Sequence, residues 1–347
     1  MNASGGKSLR AVAAAAVLFA VTASPGSGQV IAGPDGPVEF IGLQDWSAQE
    51  LFDAIQATAP GQPFHACAVV MKEQLGFAEA AATGYYDVLS GDSYTVVVGV
   101  EDSTRVRRRA PGSESVALPE TWRDLSTVAG EDIRVLRAAA GTRHLRAGVF
   151  NTVFNRARRR AARMGADPAT VDELWNLIDS ADTEEDRLLA HEVLTSESSW
   201  SARSIATLML SNFMDEDTSW HGLVGSLVDP DYRVSSVARA MFDGLVAPEM
   251  DPVEWIGARA HLSALLDGTN PLVFREILQV LVATDVDPEF ARQLVRETPD
   301  LLLAHVGAEH ERTREPAVSF LRAISGKDHG TDVAAWTAWV NGNGQPD

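Results

Sequence analysis

The chain has 347 residues, 45% of them hydrophobic and 22% charged. That is enough apolar material for a packed core and excludes wholesale disorder. The formal net charge is −19, from 29 Lys and Arg against 48 Asp and Glu, so nucleic-acid backbones are repelled and are excluded as general partners.

From the N-terminus, Lys7 and Arg10 precede the apolar run "AVAAAAVLFAVTA", which closes on Val21, Thr22 and Ala23. This pattern reads as a secretory signal peptide over residues 1–23, cut after Ala23, with Gly28 as the second candidate. The run is shorter than the roughly 20 residues of a membrane span. The mature chain is therefore expected to be periplasmic or extracellular, with no integral span. Residues 24–36, "SPGSGQVIAGPDG", are rich in Gly and Pro and read as a flexible leader.

Residues 37–109 read as a small α+β domain. A strand is expected over Pro37–Leu43. Ser47, followed three residues later by Glu50, has the form of a capping box and opens a helix. A second helix is expected over Phe64–Leu75, ended by Gly76. "FAEAAATGYYDVL" and "YTVVVGVED" flank Ser90, Gly91 and Asp92, which predicts a hairpin. "RVRRR", Arg105 to Arg109, closes the segment, with an edge strand as one reading. Residues 110–120 are expected to be a linker.

From Pro119 to Val340 the pattern predicts fourteen short helices separated by Asp, Gly and Asn joints, with proline at or near the first turn of many. Residues 121–182 form a helical region without an assignable repeat register. In residues 183–341 four segments look alike: "SARSIATLMLSNF", "DYRVSSVARAMFDGL", "PLVFREILQVLVA" and "RTREPAVSFLRAI". Ala206, Ala238, Leu278 and Ala317 occupy the same position in them, at intervals of 32, 40 and 39 residues. Periods of this size mark stacked helix pairs. The pattern resembles HEAT-type repeats. The fold class expected is therefore mainly α: an α-solenoid of HEAT-like helix pairs preceded by a small α+β domain. The resemblance implies a scaffold that recognises a protein partner more than it implies catalysis.

Motifs for chemistry fail on spacing. "GDSYT", Gly91 to Thr95, lacks the second glycine of a nucleophile elbow, and "SGK", Ser325 to Lys327, has Leu321 where a phosphate loop needs glycine. His191 and Glu192 are followed by Thr195 where a zinc helix needs its second histidine. No catalytic, cofactor-binding or metal-binding residue is assigned, and no cofactor is expected. The alternative is an enzyme with its site in or beside the α+β domain, for which His65, Cys67, Asp92 and Tyr94 are the candidate participants. Cys67 is the only cysteine and reads as a small buried hydrophobe.

The basic cluster "RARRRAARMG" places Arg156, Arg159, Arg160 and Arg163 on one helix face. They form a candidate patch for an anionic partner, including peripheral membrane contact, and a solvated or salt-bridged face is the other reading. In "AISGKDHGTDVAAWTAWV", Gly326 suits a helix C-terminus, Thr331 an N-cap, and Trp336 with Trp339 a cap over the end of the last repeat.

Overall fold

A computed structural model describes residues 28–87, 91–146, 151–245 and 250–342 of the protein. The expected signal peptide and residues 24–27 of the leader lie outside the described residues.

The chain opens with strands β1 (Gln29–Gly33) and β2 (Gly36–Ile41), then helices α1 (Ala48–Thr58) and α2 (Cys67–Gln74), then strands β3 (Glu79–Tyr86) and β4 (Ser93–Val100). Strand β1 falls within the stretch expected to be flexible. It pairs antiparallel with β2 through a turn at Gly36, whose φ of +127° and close approach to the Ser93 carbonyl leave no room for a side chain. The sheet order is β1-β2-β4-β3; β2 and β4 are parallel, and β3 and β4 form the expected hairpin.

Alternation along the strands gives the sheet two different faces. Val38, Phe40, Ala80 and Val97 pack with Leu51, Ile55, Phe64, Cys67 and Met71 from the first two helices. The α1 N-terminus is held by the expected capping box between Ser47 and Glu50. Ile41, Ala81, Val96 and Val98 face the other way and join the core of the helical region. The α+β segment is thus packed on both faces, and the second covering layer is supplied by the rest of the chain.

That region consists of α3 (Glu120–Ala129), α4 (Ile133–Arg146), α5 (Asn151–Arg163), α6 (Pro168–Ser180), α7 (Glu184–Ser196), α8 (Trp200–Met209), α9 (Asp217–Leu227), α10 (Tyr232–Leu245), α11 (Arg259–Leu266), α12 (Phe274–Ala283), α13 (Pro288–Glu297), α14 (Asp300–Val306), α15 (Glu311–Ser325) and α16 (Val333–Val340). The protein is mainly helical, with one small four-stranded sheet. Helices α7, α9, α11 and α13 pack each on the next, and so do α8, α10, α12 and α15. The positions aligned from sequence, Ala206, Ala238, Leu278 and Ala317, all fall in the second of these rows and are all buried.

Several boundaries differ from expectation. Gly141 lies inside α4, facing the Arg160 guanidinium from α5. The Arg105–Arg109 stretch is no strand: a short 3-10 turn over Ser103–Arg105 leads into an extended, unpaired segment. Asp332, not Thr331, caps α16, its carboxylate accepting from the Ala335 amide at 2.9 Å. Gly326 does take the left-handed conformation that ends α15.

Candidate functional site

Two sets of polar contacts hold the sheet and its trailing segment on the helices. The first is a strap, residues 105–116, that crosses three successive helix-to-helix turns. Arg105 and Arg107 pair with Asp267 at the end of α11, at 3.0 and 3.2 Å, and the Arg107 amide donates to Thr269 Oγ1. Arg109 donates from its amide to the Val228 carbonyl and from its guanidinium to Asp229, both at the end of α9. At the end of α7, the Glu114 amide donates to the Ser196 carbonyl, and the Val116 amide donates to Glu197 at 2.7 Å. Glu197, Asp229 and Thr269 each stand nine positions ahead of one of the aligned core residues, so the strap reads the same turn three times.

Asp229 is the most constrained of these groups. It is fully buried, and it takes Arg203 of α8 bidentately at 3.0 and 3.0 Å, Arg109 from the strap, and the Asp231 amide at 2.8 Å. Burial pushes the Arg109 guanidinium below its ordinary pKa, and the Asp229 carboxylate works against that shift.

The second set surrounds Glu39, a fully buried carboxylate in the middle of β2. It accepts from the Tyr94 hydroxyl at 3.1 Å and from the amides of Glu309 and His310 ahead of α15. A carboxylate there meets the positive end of the helix. His310 is sandwiched between Tyr85 and Tyr94, with ring centroids 4.0 and 4.7 Å away. Burial first, then the charge of Glu39, raise the Tyr94 phenol above its ordinary pKa.

Between these attachments the sheet does not seal against the helices. A cleft of about 180 Å³ remains where β3 and β4 face α10, α12 and α15. Ala81, Val96 and Val98 form its floor, with Thr83 and Tyr85 further along β3. Arg239 and Asp243 come from α10, Arg275 and Glu276 from the first turn of α12, His305 from α14 and Thr313 from α15. Asp243 and Leu272 are exposed and mark its mouth.

The polar lining is unevenly satisfied. Arg275 is bound to Glu276 Oε1, while Glu276 Oε2 is buried with no hydrogen-bond partner among the described residues. A buried polar atom left so costs about 1–3 kcal/mol. Beside Arg239, Arg137 of α4 has its Nε buried without a partner, and burial followed by the like charge of Arg239 lowers its pKa. The Thr313 hydroxyl donates to Tyr85 Oη at 3.1 Å, which leaves the tyrosine proton to donate elsewhere. His305 is fully enclosed: Nδ1 lies 2.8 Å from the Leu301 carbonyl, the ring stacks on Phe274 at 4.3 Å, and burial pushes its pKa down to about 4.

The residues singled out from sequence lie elsewhere. His65 and Cys67 belong to the helical side of the sheet that α1 and α2 cover, and Tyr94 to the opposite side. Burial pushes the Cys67 thiol up to about 12, far from reactivity at neutral pH. Asp92 sits in the β3–β4 connection. The four are not brought together. Arg156, Arg159 and Arg163 are exposed on α5, and Arg160 is half-buried against Gly141. Trp336 is fully buried, donates from Nε1 to the Gly330 carbonyl at 3.0 Å, and meets His329 and Trp339 edge-on; Trp339 is half-buried with the Arg292 guanidinium over it.

The cleft residues carry no local motif. Their one sequence signal is charge inside an apolar pattern, as in the "FREILQVLVA" helix, where Glu276 falls on a buried face. Compared with known proteins, the chain matches no family profile, no curated protein and no solved structure.

Proposed function

We propose that the protein is an exported, non-catalytic binding protein built on a HEAT-like solenoid, and that the cleft between the sheet and the α10–α12–α15 row is its recognition site. The observation that carries this reading is the cleft itself: an apolar floor under a mostly polar wall of four charged side chains, a histidine and three hydroxyls, placed where two parts of the chain meet. The group in it that ordinarily titrates nearest neutrality, His305, is held neutral by burial and is fixed by Leu301, so it serves as a wall and acceptor more than as a proton shuttle.

The repeat reading is supported by the two rows of like helices, by the recurrence of the aligned residues within one row, and by the strap meeting equivalent turns. A further recurrence supports it: His191 and His221, on alternate helices, each pack against a glycine of a following element, Gly222 and Gly257. Repeats of this kind hold their surface rigidly through neighbour contacts, which suits a preformed site.

The test is a ligand-observed NMR screen of small soluble fragments against the protein and its Ala81→Leu variant. Ala81 is on the cleft floor and is 2% exposed. Fragments that bind the native chain should be lost from the filled variant, with both forms showing the same helical circular dichroism. Fragment binding that is indifferent to the substitution refutes the site.

A further inference from the structure

We infer that the cleft takes a small organic carboxylate with an apolar body, its charge held by Arg239 and its hydrocarbon part laid on the sheet. This rests on the cleft being the binding site and specifies what it binds.

The size comes first. A dry cavity of about 150 Å³ holds benzene, so about 180 Å³ suits a ligand of roughly six to ten heavy atoms. The floor sets the body: Ala81, Val96 and Val98 offer hydrocarbon only, and they belong to the rigid centre of the sheet. A fully polar ligand would leave its own groups unpaired there.

The rim sets the head group. Arg239 makes no hydrogen bond or ion pair with another described residue, although it lines the cleft and is half-buried. The neighbouring Arg137 adds positive potential without spending its Nε on a partner. Tyr85, already accepting from Thr313, has its hydroxyl proton left to give. Arg275 is compensated by Glu276. The uncommitted donors are thus a guanidinium and a phenol, the buried Glu276 Oε2 is an uncommitted acceptor beside them, and a planar carboxylate matches the guanidinium fork. Asp243 stands at the mouth and disfavours ligands of higher negative charge, so a monoanion fits better than a phosphate.

Isothermal titration with benzoate and 3-methylbutanoate, each against its neutral amide, tests this. The carboxylates should bind at least tenfold tighter than the amides. Arg239→Met should remove that preference without lowering the thermal melt, and Arg239→Lys should restore part of it. Tyr85→Phe should weaken the carboxylates alone, by a few-fold. Equal binding of acid and amide, or a preference that survives Arg239→Met, overturns the inference. If neither acid nor amide binds but other fragments are displaced by Ala81→Leu, the carboxylate assignment fails and the cleft stands. If no fragment responds to Ala81→Leu, the site itself fails.

Discussion

Asp229→Ala is the substitution that most directly tests how the sheet-bearing segment is tied to the helices. The carboxylate is fully buried, and the two guanidiniums it serves have side chains 3% and 12% exposed. Its loss removes two bonds to Arg203 at 3.0 Å and those to Arg109, and it leaves both largely buried cations without a counter-charge. Removing one member of a buried charge cluster costs about 3–5 kcal/mol, chiefly because the partners stay charged and unpaired. Urea unfolding followed by tryptophan fluorescence should show a loss of this size. Trypsin should also cut at Arg105–Arg109 under conditions where the native chain resists, because the strap is released at its middle anchor. Replacing the whole cluster, as Arg109→Met, Arg203→Met and Asp229→Leu together, should recover most of the stability, since no unpaired charge remains. A loss below about 1 kcal/mol for Asp229→Ala would mean the cluster is hydrated and behaves as a surface pair.

Trp336→Ala should cost about 3–5 kcal/mol in the same assay, because the indole is fully buried and its Nε1 is bound to Gly330; a change within about 0.5 kcal/mol would remove it from the core. His305 has a native pKa of about 4 against an ordinary value of 6.5. The unfolded chain therefore binds the extra proton between those values, and stability falls as pH is lowered through that window, by on the order of 3 kcal/mol once complete. His305→Phe should flatten that part of the pH–stability curve, and an unchanged slope would show that the ring is not buried neutral. Reversal of exposed Arg156, Arg159 and Arg163 to Glu should move stability by no more than about 0.5 kcal/mol while abolishing any binding to anionic vesicles in a sedimentation assay; vesicle binding that survives the reversal would exclude that face.

Local chemistry made much of the fold legible. Ser47 with Glu50, and Gly326 after an apolar run, each act within a few residues, and each marks the helix end where the sequence placed it. Strand β1 was hidden because Gly33, Pro34, Asp35 and Gly36 dominate its neighbourhood and read as a leader. The same four residues form a hairpin turn once "QVIA" and "PVEF" are seen to flank them. The arginine stretch was misread for a different reason. Its partners Asp229 and Asp267 lie 120 and 162 residues away, so nothing in the stretch itself says that its charges are used inward. The cleft was hidden for the same reason. Arg239, Arg275 and Thr313 reach it from three helices, and only the tertiary packing makes them neighbours. Glu39 did carry a local warning: an acid within "PVEFI" must find donors if that strand is central. It finds them in α15.

These long-range contacts also argue against residues 37–109 as a unit that folds alone. One sheet face is covered by α1 and α2, but Ile41, Ala81, Val96 and Val98 on the other belong to the helical core. Cutting the chain after the strap would expose those four and leave the Glu39 carboxylate with one donor, Tyr94, in place of three. The apolar face alone could be wetted at modest cost, whereas a buried carboxylate stripped of its helix cannot stay buried. The sheet is thus held against the array by its polar groups as much as by its apolar ones. The cleft follows from this arrangement: Glu39 pins the sheet to α15 on one side and the strap pins it to the α9 and α11 ends on the other, so the gap between them stays open without a ligand to prop it. A site kept open in this way loses little freedom on binding, and small ligands depend on that, because they bury too little area to order a loose one.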